Sequence, residues 1–274
     1  MFCKRCHVFK ASTPAGLCSG CAADPDPGPV STPAPAPVAA SAPTGPVVQP
    51  HGPAWLRSPV GIGKAVVVML GVVIAADLFA VGAGINMYDV MGALADDGLG
   101  NGGYNALMRR SDQADSLYYA AGVAQTAAFF AAAVFFLVWF LRVRVNAEVF
   151  NPFGHTMKRG WTGWCWFVPV VSLWFPRRIM LDIWDASSPA GTRAPHGLVN
   201  AWWTLWLITL FINPEDFGTF DRADTADEIR SAVVQVLVSD AVDIVAAVLA
   251  ILVVLRLTRM QHEKALRGPV PMGV

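Results

Sequence analysis

Charged side chains are scarce in this sequence of 274 residues. They make up 15% of the chain, against about 25% in a typical soluble domain, and hydrophobic residues make up 54%. Basic and acidic residues number 20 each, so the chain lacks the excess of one charge that would attract nucleic acid or an acidic partner. Scarce charge and abundant apolar surface indicate a membrane protein.

A recognisable catalytic motif is also lacking. The stretch Gly61-Ile-Gly63-Lys64 has neither the spacing nor the Ser or Thr of a phosphate-binding loop. No arrangement of Ser, His and Asp, and no pair of acids, can be placed as a hydrolytic site. We therefore expect a protein that is not an enzyme.

Cysteine is rare except at the N-terminus, where four of the five cysteines lie within the first 21 residues. They form two Cys-x-x-Cys pairs, Cys3 with Cys6 and Cys18 with Cys21. Four thiolates at this spacing predict one structural Zn²⁺ ion in a closed tetrahedral site, so residues 1–22 are interpreted as a zinc-ribbon-like head. Two disulfides or a redox dithiol are the alternatives, and a reducing cytosol opposes disulfides. The head has few basic residues, so we expect no nucleic-acid binding.

Residues 23–57 consist mostly of Pro, Ala, Ser, Gly and Val, with repeated Ala-Pro steps. Each proline fixes φ and removes a backbone donor, and the segment has little bulky apolar surface to bury. We interpret it as a disordered, extended linker.

Five long uncharged runs follow the linker. They are Ala65–Met87 (interrupted by Asp77), Leu117–Leu141, Trp161–Phe175, Gly197–Asn213 and Ala232–Leu255 (interrupted by Asp240 and Asp243). A helix that spans a bilayer needs about 20 apolar residues. The first, second and last runs are long enough and Gly197–Asn213 is marginal, whereas Trp161–Phe175 is too short and contains Pro169.

The distribution of charge predicts which runs cross the membrane. If Trp161–Phe175 enters and leaves on one side, the cytosolic segments hold 16 basic residues and the external segments 86–116 and 214–231 hold 4. Cytosolic segments of membrane proteins are enriched in Lys and Arg. The sequence therefore predicts an all-α bundle in the cell membrane, with four crossings, one re-entrant or interfacial segment and both termini cytosolic. The transmembrane domain would span residues 58–262, and residues 263–274 would form a cytosolic tail.

Small residues predict where the helices approach each other. Ala120, Ala124, Ala128 and Ala132 recur every four residues in the second run. Such a stripe lets helix backbones pack closely, so we expect it to face a neighbouring helix.

The Trp/Pro-rich segment is the most distinctive part of the sequence. Its interfacial motif consists of Trp164, Pro169, Trp174, Pro176 and Trp184. Tryptophan favours the headgroup level, and two prolines seven residues apart prevent one straight helix. We expect a membrane anchor in which the residues after Pro176 form a short amphipathic helix in the interface.

This motif, together with the basic residues Arg142, Arg144, Lys158 and Arg159 before it, resembles a bacterial membrane-protein family, the domain of unknown function 4328. The resemblance extends over roughly residues 60–260, and members of the family often carry a proline-rich or zinc-ribbon N-terminus. It implies a multi-pass membrane protein and supplies no activity, ligand or catalytic residue.

Three acids interrupt the apolar runs: Asp77, Asp240 and Asp243. A carboxylate at bilayer depth costs about 2.5–3.5 kcal/mol, so each acid should face the bundle interior or water. Asp77 and Asp243 lie about 12 residues from the cytosolic ends of their runs, a depth of about 18 Å. The three acids, with Gln125 and Thr126, are therefore predicted to share one layer, as either a proton or cation site or a hydrogen-bonded packing cluster.

The sequence is consistent with two functions. The first is a non-enzymatic scaffold or sensor whose zinc head binds a cytosolic protein. The second is a small transporter or an ion or proton conduit that uses the three buried acids. The acids would line a cavity in a conduit and would be sealed by hydrogen bonds in a scaffold.

Overall fold

A computed structural model describes residues 56–95, 101–189, 194–212 and 225–267, together with residues 10, 12, 14 and 19. The chain divides into two units, Met1–Val47 and Val48–Val274. The regular elements of the second unit are helices throughout the described ranges, as the sequence predicts. Apart from those four residues, the predicted zinc ribbon lies outside the described residues, and so does the linker up to residue 55.

Three long helices form the body of the second unit. They are α1 (Val60–Ala95), α2 (Asn101–Phe150) and α6 (Ala226–Arg267). Between α2 and α6 come α3 (Trp161–Trp164), a 3₁₀ turn (Val171–Leu173), α4 (Phe175–Ser187) and α5 (Gly197–Ile212).

Within the described ranges, α1, α2 and α6 are long and apolar enough to cross a membrane. Helix α5 is apolar but has 16 residues, fewer than the roughly 20 that a perpendicular crossing needs. At about 1.5 Å per residue, the 50 residues of α2 extend about 75 Å, more than twice the hydrocarbon thickness of about 30 Å. The long helices therefore continue well beyond the membrane.

The region interpreted from the sequence as an external loop, residues 86–116, is largely helical. Helix α1 continues to Ala95 and α2 begins at Asn101. Buried residues from α1, α2 and α6, among them Met87, Leu107 and Val233, form a separate apolar core there. The uncharged runs are shorter than these helices, because polar residues extend the helices past the bilayer.

Helix α1 packs along both α2 and α6. The buried positions of α6 include a series spaced seven residues apart: Val233, Asp240, Ala247, Val254 and Gln261. This period keeps one face of a helix against its neighbours, as in coiled coils. The long helices thus share a seam with two polar positions among apolar ones.

The alanine stripe of α2 follows a different register from the predicted one. Ala128 and Ala132 are buried, whereas Ala120 and Ala124 are exposed. The buried small residue of that part of the helix is Ala121, which packs against Ala80 and Ala83 of α1. A strict four-residue repeat drifts around a helix of 3.6 residues per turn, so it cannot remain on one face.

Helix α4 is amphipathic, and its apolar face packs against the protein. Ile179, Met180, Ile183 and Trp184 are fully buried in the main core. Pro176 lies in the first turn, where a missing N–H costs no helical hydrogen bond. The apolar face of this helix therefore belongs to the protein core. Lipid does not cover this face.

The two ends of the bundle differ in charge. One end, here named the basic end, contains the start of α1, the ends of α2 and α6, and helix α4. The opposite end, the acidic end, contains the end of α1 and the starts of α2 and α6. Helix α5 begins at the basic end, because Asn200 accepts hydrogen bonds from Arg177 of α4 at 2.8 and 3.1 Å.

Candidate functional site

The first candidate site is a polar layer inside the bundle, formed by Asp77 of α1, Gln125 of α2 and Asp240 of α6. The Nε2 of Gln125 donates to Asp77 Oδ1 at 3.0 Å and to Asp240 Oδ1 at 2.9 Å. The two acids are only 4% and 5% exposed. One amide thus joins the three long helices at a single level, and we name this group the acid layer.

The acid layer occupies positions that face other helices. Asp240 belongs to the seven-residue series of α6, and Asp77 lies one turn from Ala80 on the buried face of α1. Asp243 lies nearly one turn beyond Asp240 and is half-buried, while Thr126 bonds its own helix at Gly122. The structure therefore brings Asp77 and Asp240 together through Gln125, and a functional role for all three acids stays a prediction.

Two surface grooves lie elsewhere in the described part of the protein. One, of about 510 Å³, is lined by apolar residues of α5 and α6 such as Leu205 and Val238. The other, of about 440 Å³, lies at the basic end beside Arg159 and Trp164. Neither groove is lined by a member of the acid layer.

A second polar cluster lies at the basic end, around Asn146 of α2. Asn146 Nδ2 donates to the Arg57 carbonyl at 2.8 Å, and Asn146 Oδ1 accepts from the Arg57 N–H at 3.0 Å. The same Nδ2 donates to Gln261 Oε1 at 3.0 Å, and Gln261 donates to the Val143 carbonyl and to Ser187 Oγ. The amide of Asn146 thus binds the backbone just before α1 to α2 and α6, and we name this cluster the amide clamp.

Lys264 of α6 attaches the end of α4 to the same cluster. Its Nζ donates to the carbonyls of Ala186 and Ser188 at 2.8 and 2.9 Å. The last carbonyls of a helix have no intrahelical partner, and a cation there also interacts favourably with the helix dipole. This contact fixes the end of α4 to the end of α6.

An ion cluster follows the end of α2. Glu148 lies 3.3 Å from Arg144 Nε and accepts from Arg159 through Nε at 2.9 Å and through Nη2. Arg144 is 2% exposed, and its Nη2 also donates to the Met157 carbonyl at 2.7 Å. Two guanidinium groups therefore share the carboxylate of Glu148, and Asp182 acts on Arg144 as a second acid.

His155 lies in the turn beside this cluster. Burial, followed by the positive charge of Arg144, lowers the pKa of His155 below its usual 6.5. Glu148 and Asp182 act in the opposite direction with smaller effect. Burial and Arg144 therefore disfavour the charged imidazolium form of this side chain in the folded protein.

The Trp/Pro motif divides into an exposed part and a buried part. Trp164, Pro169 and Trp174 are exposed, whereas Pro176 and Trp184 are buried. Around the motif, an aromatic cluster joins α2 to α5 through Phe136, Trp139, Phe140, Trp166, Trp202, Trp203 and Trp206. The exposed rings suit an interfacial anchor, and the buried ring belongs to the core.

The predicted zinc ligands Cys3, Cys6, Cys18 and Cys21 lie outside the described residues. The remaining cysteine, Cys165, is buried and free. Among the described residues, no group of three or more His, Cys, Asp or Glu is placed to hold a metal ion. The zinc site stays a prediction from cysteine spacing.

Sequence reasoning missed the amide clamp and the ion cluster. The clamp joins Asn146 to partners 89 and 115 residues away, so no local pattern connects them. A usable signal was the seven-residue period of α6, which places Gln261 on the same face as Asp240.

The helical unit matches a known protein family. The model of the domain of unknown function DUF4328 matches residues 105–259, more than half of the chain. The protein belongs to this family. The DUF4328 match includes Gln125, Asp240 and Asn146, whereas Asp77 lies before it. No curated protein and no solved structure matches the chain.

Proposed function

We propose that this DUF4328 protein is a non-enzymatic membrane scaffold or sensor, whose helical bundle anchors a zinc-binding head that recruits a cytosolic protein. The buried acid layer carries this proposal. Gln125 bonds both Asp77 and Asp240, and both acids are almost completely buried. Polar side chains at seam positions of this kind fix the register between helices. The burial of both acids, neither of which lines either of the two described grooves, favours an anchor over a conduit.

The amide clamp supports the same role. Arg57 is the last residue of the predicted linker, and both of its backbone polar groups bond Asn146. The chain that leads from the head is therefore attached to α2 and, through Gln261, to α6. A fixed attachment point suits a scaffold that tethers its head to the membrane.

Four crossings with both termini cytosolic form part of the proposal. Helix α5 begins near α4, which Lys264 holds at the end of α6. Helix α6 begins at Ala226, 38 residues earlier, which corresponds to about 57 Å at the helical rise. The chain between Asn200 and Ala226 must therefore travel the length of the bundle, which supports a fourth crossing by α5.

The same contacts support a re-entrant Trp/Pro segment. Helix α2 ends at the basic end, and α5 begins there. The segment that joins these helices therefore leaves from and returns to one end of the bundle. The excess of Lys and Arg in these segments favours a cytosolic basic end.

A small ion or proton conduit is the second candidate. Two carboxyl groups converge on one amide within the long apolar helices, and intramembrane acids often mark ion or proton pathways. In a conduit, proton movement would depend on Asp77 and Asp240.

One pair of measurements separates the candidates. Metal analysis of the purified full chain should give about one zinc per protein, and replacing Cys3 and Cys6 with Ser should abolish it. A photocrosslinker in the head should form a defined adduct in cells that this double variant loses and that Asp77→Asn retains. Proton uptake into proteoliposomes that requires Asp77, together with an adduct pattern that does not depend on zinc, would instead establish the conduit.

A further inference from the structure

The groove at the basic end combines apolar walls with a basic rim. It has a volume of about 440 Å³ and is lined by Leu141, Arg159, Gly160, Gly163, Trp164 and Phe167. Leu141, Trp164 and Phe167 are 41%, 69% and 67% exposed. Large exposed apolar side chains of this kind lie against lipid in a membrane protein, and the indole marks the headgroup level.

Glycine keeps the floor of this groove open. A Cβ atom added at Gly160 would meet nothing within 4 Å, and one at Gly163 would meet only Leu141, at 4.0 Å. Gly160 has φ −58° and ψ −33°, a conformation that any residue adopts. The space above the floor is therefore large enough for a chain of methylene groups to lie in it.

The rim carries more basic than acidic side chains. Arg159 and Arg144 share the carboxylate of Glu148, and Asp182 also acts on Arg144. Lys158, next to Arg159 in the chain, makes three basic residues against two acids. A guanidinium has five N–H donors in a planar fork, a geometry that matches phosphate oxygens. The excess charge and the donors of Arg159 together fit a phosphate group.

We propose that this groove binds an anionic phospholipid, with the phosphate at Arg159 and an acyl chain along Leu141 and Phe167. Basic pockets between transmembrane helices bind anionic headgroups in this manner. A soluble phosphate would make no contact with the apolar walls of the groove. A lipid would contact both the apolar walls and the basic rim. The groove between α5 and α6 has a lining of aliphatic residues without charge, and it lacks this preference for an anionic headgroup.

The test is native mass spectrometry of the full chain in mild detergent, with phosphatidylglycerol or phosphatidylcholine added. The wild type should retain phosphatidylglycerol preferentially. Arg159→Gln should reduce that retention about fivefold, the effect of one basic residue near a charged headgroup. Glu148 keeps Arg144 as its partner in this variant, so the fold should persist. Arg110→Gln, at the acidic end, makes the same change in charge and should retain the lipid.

A steric variant tests the groove itself. Gly160→Trp should fill the space over the floor and lower phosphatidylglycerol retention as Arg159→Gln does. Gly122→Trp is its matched control, because a Cβ added at Gly122 on α2 also meets nothing within 4 Å. The proposal is overturned if Arg159→Gln retains wild-type selectivity, if phosphatidylcholine binds as well as phosphatidylglycerol, or if inorganic phosphate displaces the lipid.

Discussion

At the scale of single residues, buried amides hold together parts of the chain that are far apart in sequence. Gln125 bonds acids 48 and 115 residues away, and Gln261 bonds a carbonyl 118 residues away. A carboxamide carries both donors and an acceptor, so it can satisfy several groups that a low-dielectric interior leaves without water. These amides therefore set which helices meet and at what level.

The acid layer yields a prediction about Asp77. Asp77→Leu should lower the free energy of unfolding by about 1 kcal/mol, because it removes one acceptor of the Gln125 amide inside the bundle. Asp77→Asn should cost less, since its Oδ1 can still accept from Gln125. Thermal unfolding in detergent measures both, with Asp112→Leu on the exposed surface of α2 as control. Equal losses in the two Asp77 variants would contradict the bonding described.

His155 yields a prediction about pH. Its pKa in the folded protein lies below 6.5 because of burial and Arg144. The side chain therefore binds a proton at a higher pH in the unfolded chain than in the folded protein. The contribution of neutral His155 to stability is then complete well above pH 6.5 and is lost as the pH falls from the unfolded pKa towards the lower folded pKa. The melting temperature of the wild type should drop between about pH 7.5 and 5.5, and that of His155→Gln should drop less.

The control for this effect is His262→Gln, because His262 is exposed at the end of α6. That variant should follow the wild-type pH profile. If His155→Gln follows it as well, His155 does not contribute to the acid sensitivity.

The sequence located the acids inside the apolar runs, and the structure adds a contact between two of them. Apolar runs around Asp77, Asp240 and Asp243 indicate their depth, and the depth estimate set Asp77 level with Asp243. The structure joins Asp77 to Asp240 through Gln125. Counting residues along a helix gives height, whereas the face of the helix that meets a neighbour depends on packing with distant elements.

At the scale of elements, glycine sets how closely α1 approaches α6. A Cβ atom at Gly63 would lie 2.8 Å from Thr258 Oγ1 and 3.1 Å from its Cγ2. Thr258 also accepts a hydrogen bond from Trp139 Nε1 at 3.0 Å. The close approach of α1 to α6 thus depends on the absence of a side chain at Gly63. The hydrogen bond between Thr258 and Trp139 of α2 depends on it as well.

Gly63→Ala should therefore destabilise the bundle by about 1–3 kcal/mol, through overpacking against Thr258. Gly71→Ala is the matched control in the same helix, because a Cβ there meets nothing within 4 Å. That control should be neutral or slightly stabilising, since alanine favours a helix by up to about 1 kcal/mol over glycine. Chemical unfolding in detergent distinguishes them, and a Gly63→Ala protein as stable as Gly71→Ala would contradict the contact.

Helices were easier to predict from sequence than their ends. Apolar runs identify the cores of α1, α2, α5 and α6, because the bilayer demands such runs. They do not reveal that α1, α2 and α6 continue into polar sequence and pack there around Met87, Leu107 and Val233. That core has the ordinary amphipathic pattern of a soluble bundle, which a search for uncharged runs does not detect.

At the scale of the whole molecule, the proposed arrangement in the membrane rests on charge and on the path of the chain. The basic end contains the end of α2, helix α4 and the end of α6, all of which carry Lys or Arg. The acidic end contains Asp89, Asp112, Asp115, Asp227 and Glu228. The proposed scaffold requires the head and the basic end to lie on the cytosolic side.

The measurement that tests this account most directly is labelling of introduced cysteines by a membrane-impermeant thiol reagent, read by peptide mass spectrometry. Asp112→Cys on α2 and Asp185→Cys on α4 replace exposed side chains at opposite ends. In intact cells, position 112 should be labelled, while position 185 should react only after the membrane is permeabilised. Labelling of position 185 from outside intact cells would contradict the re-entrant segment, the four crossings and the cytosolic anchor together.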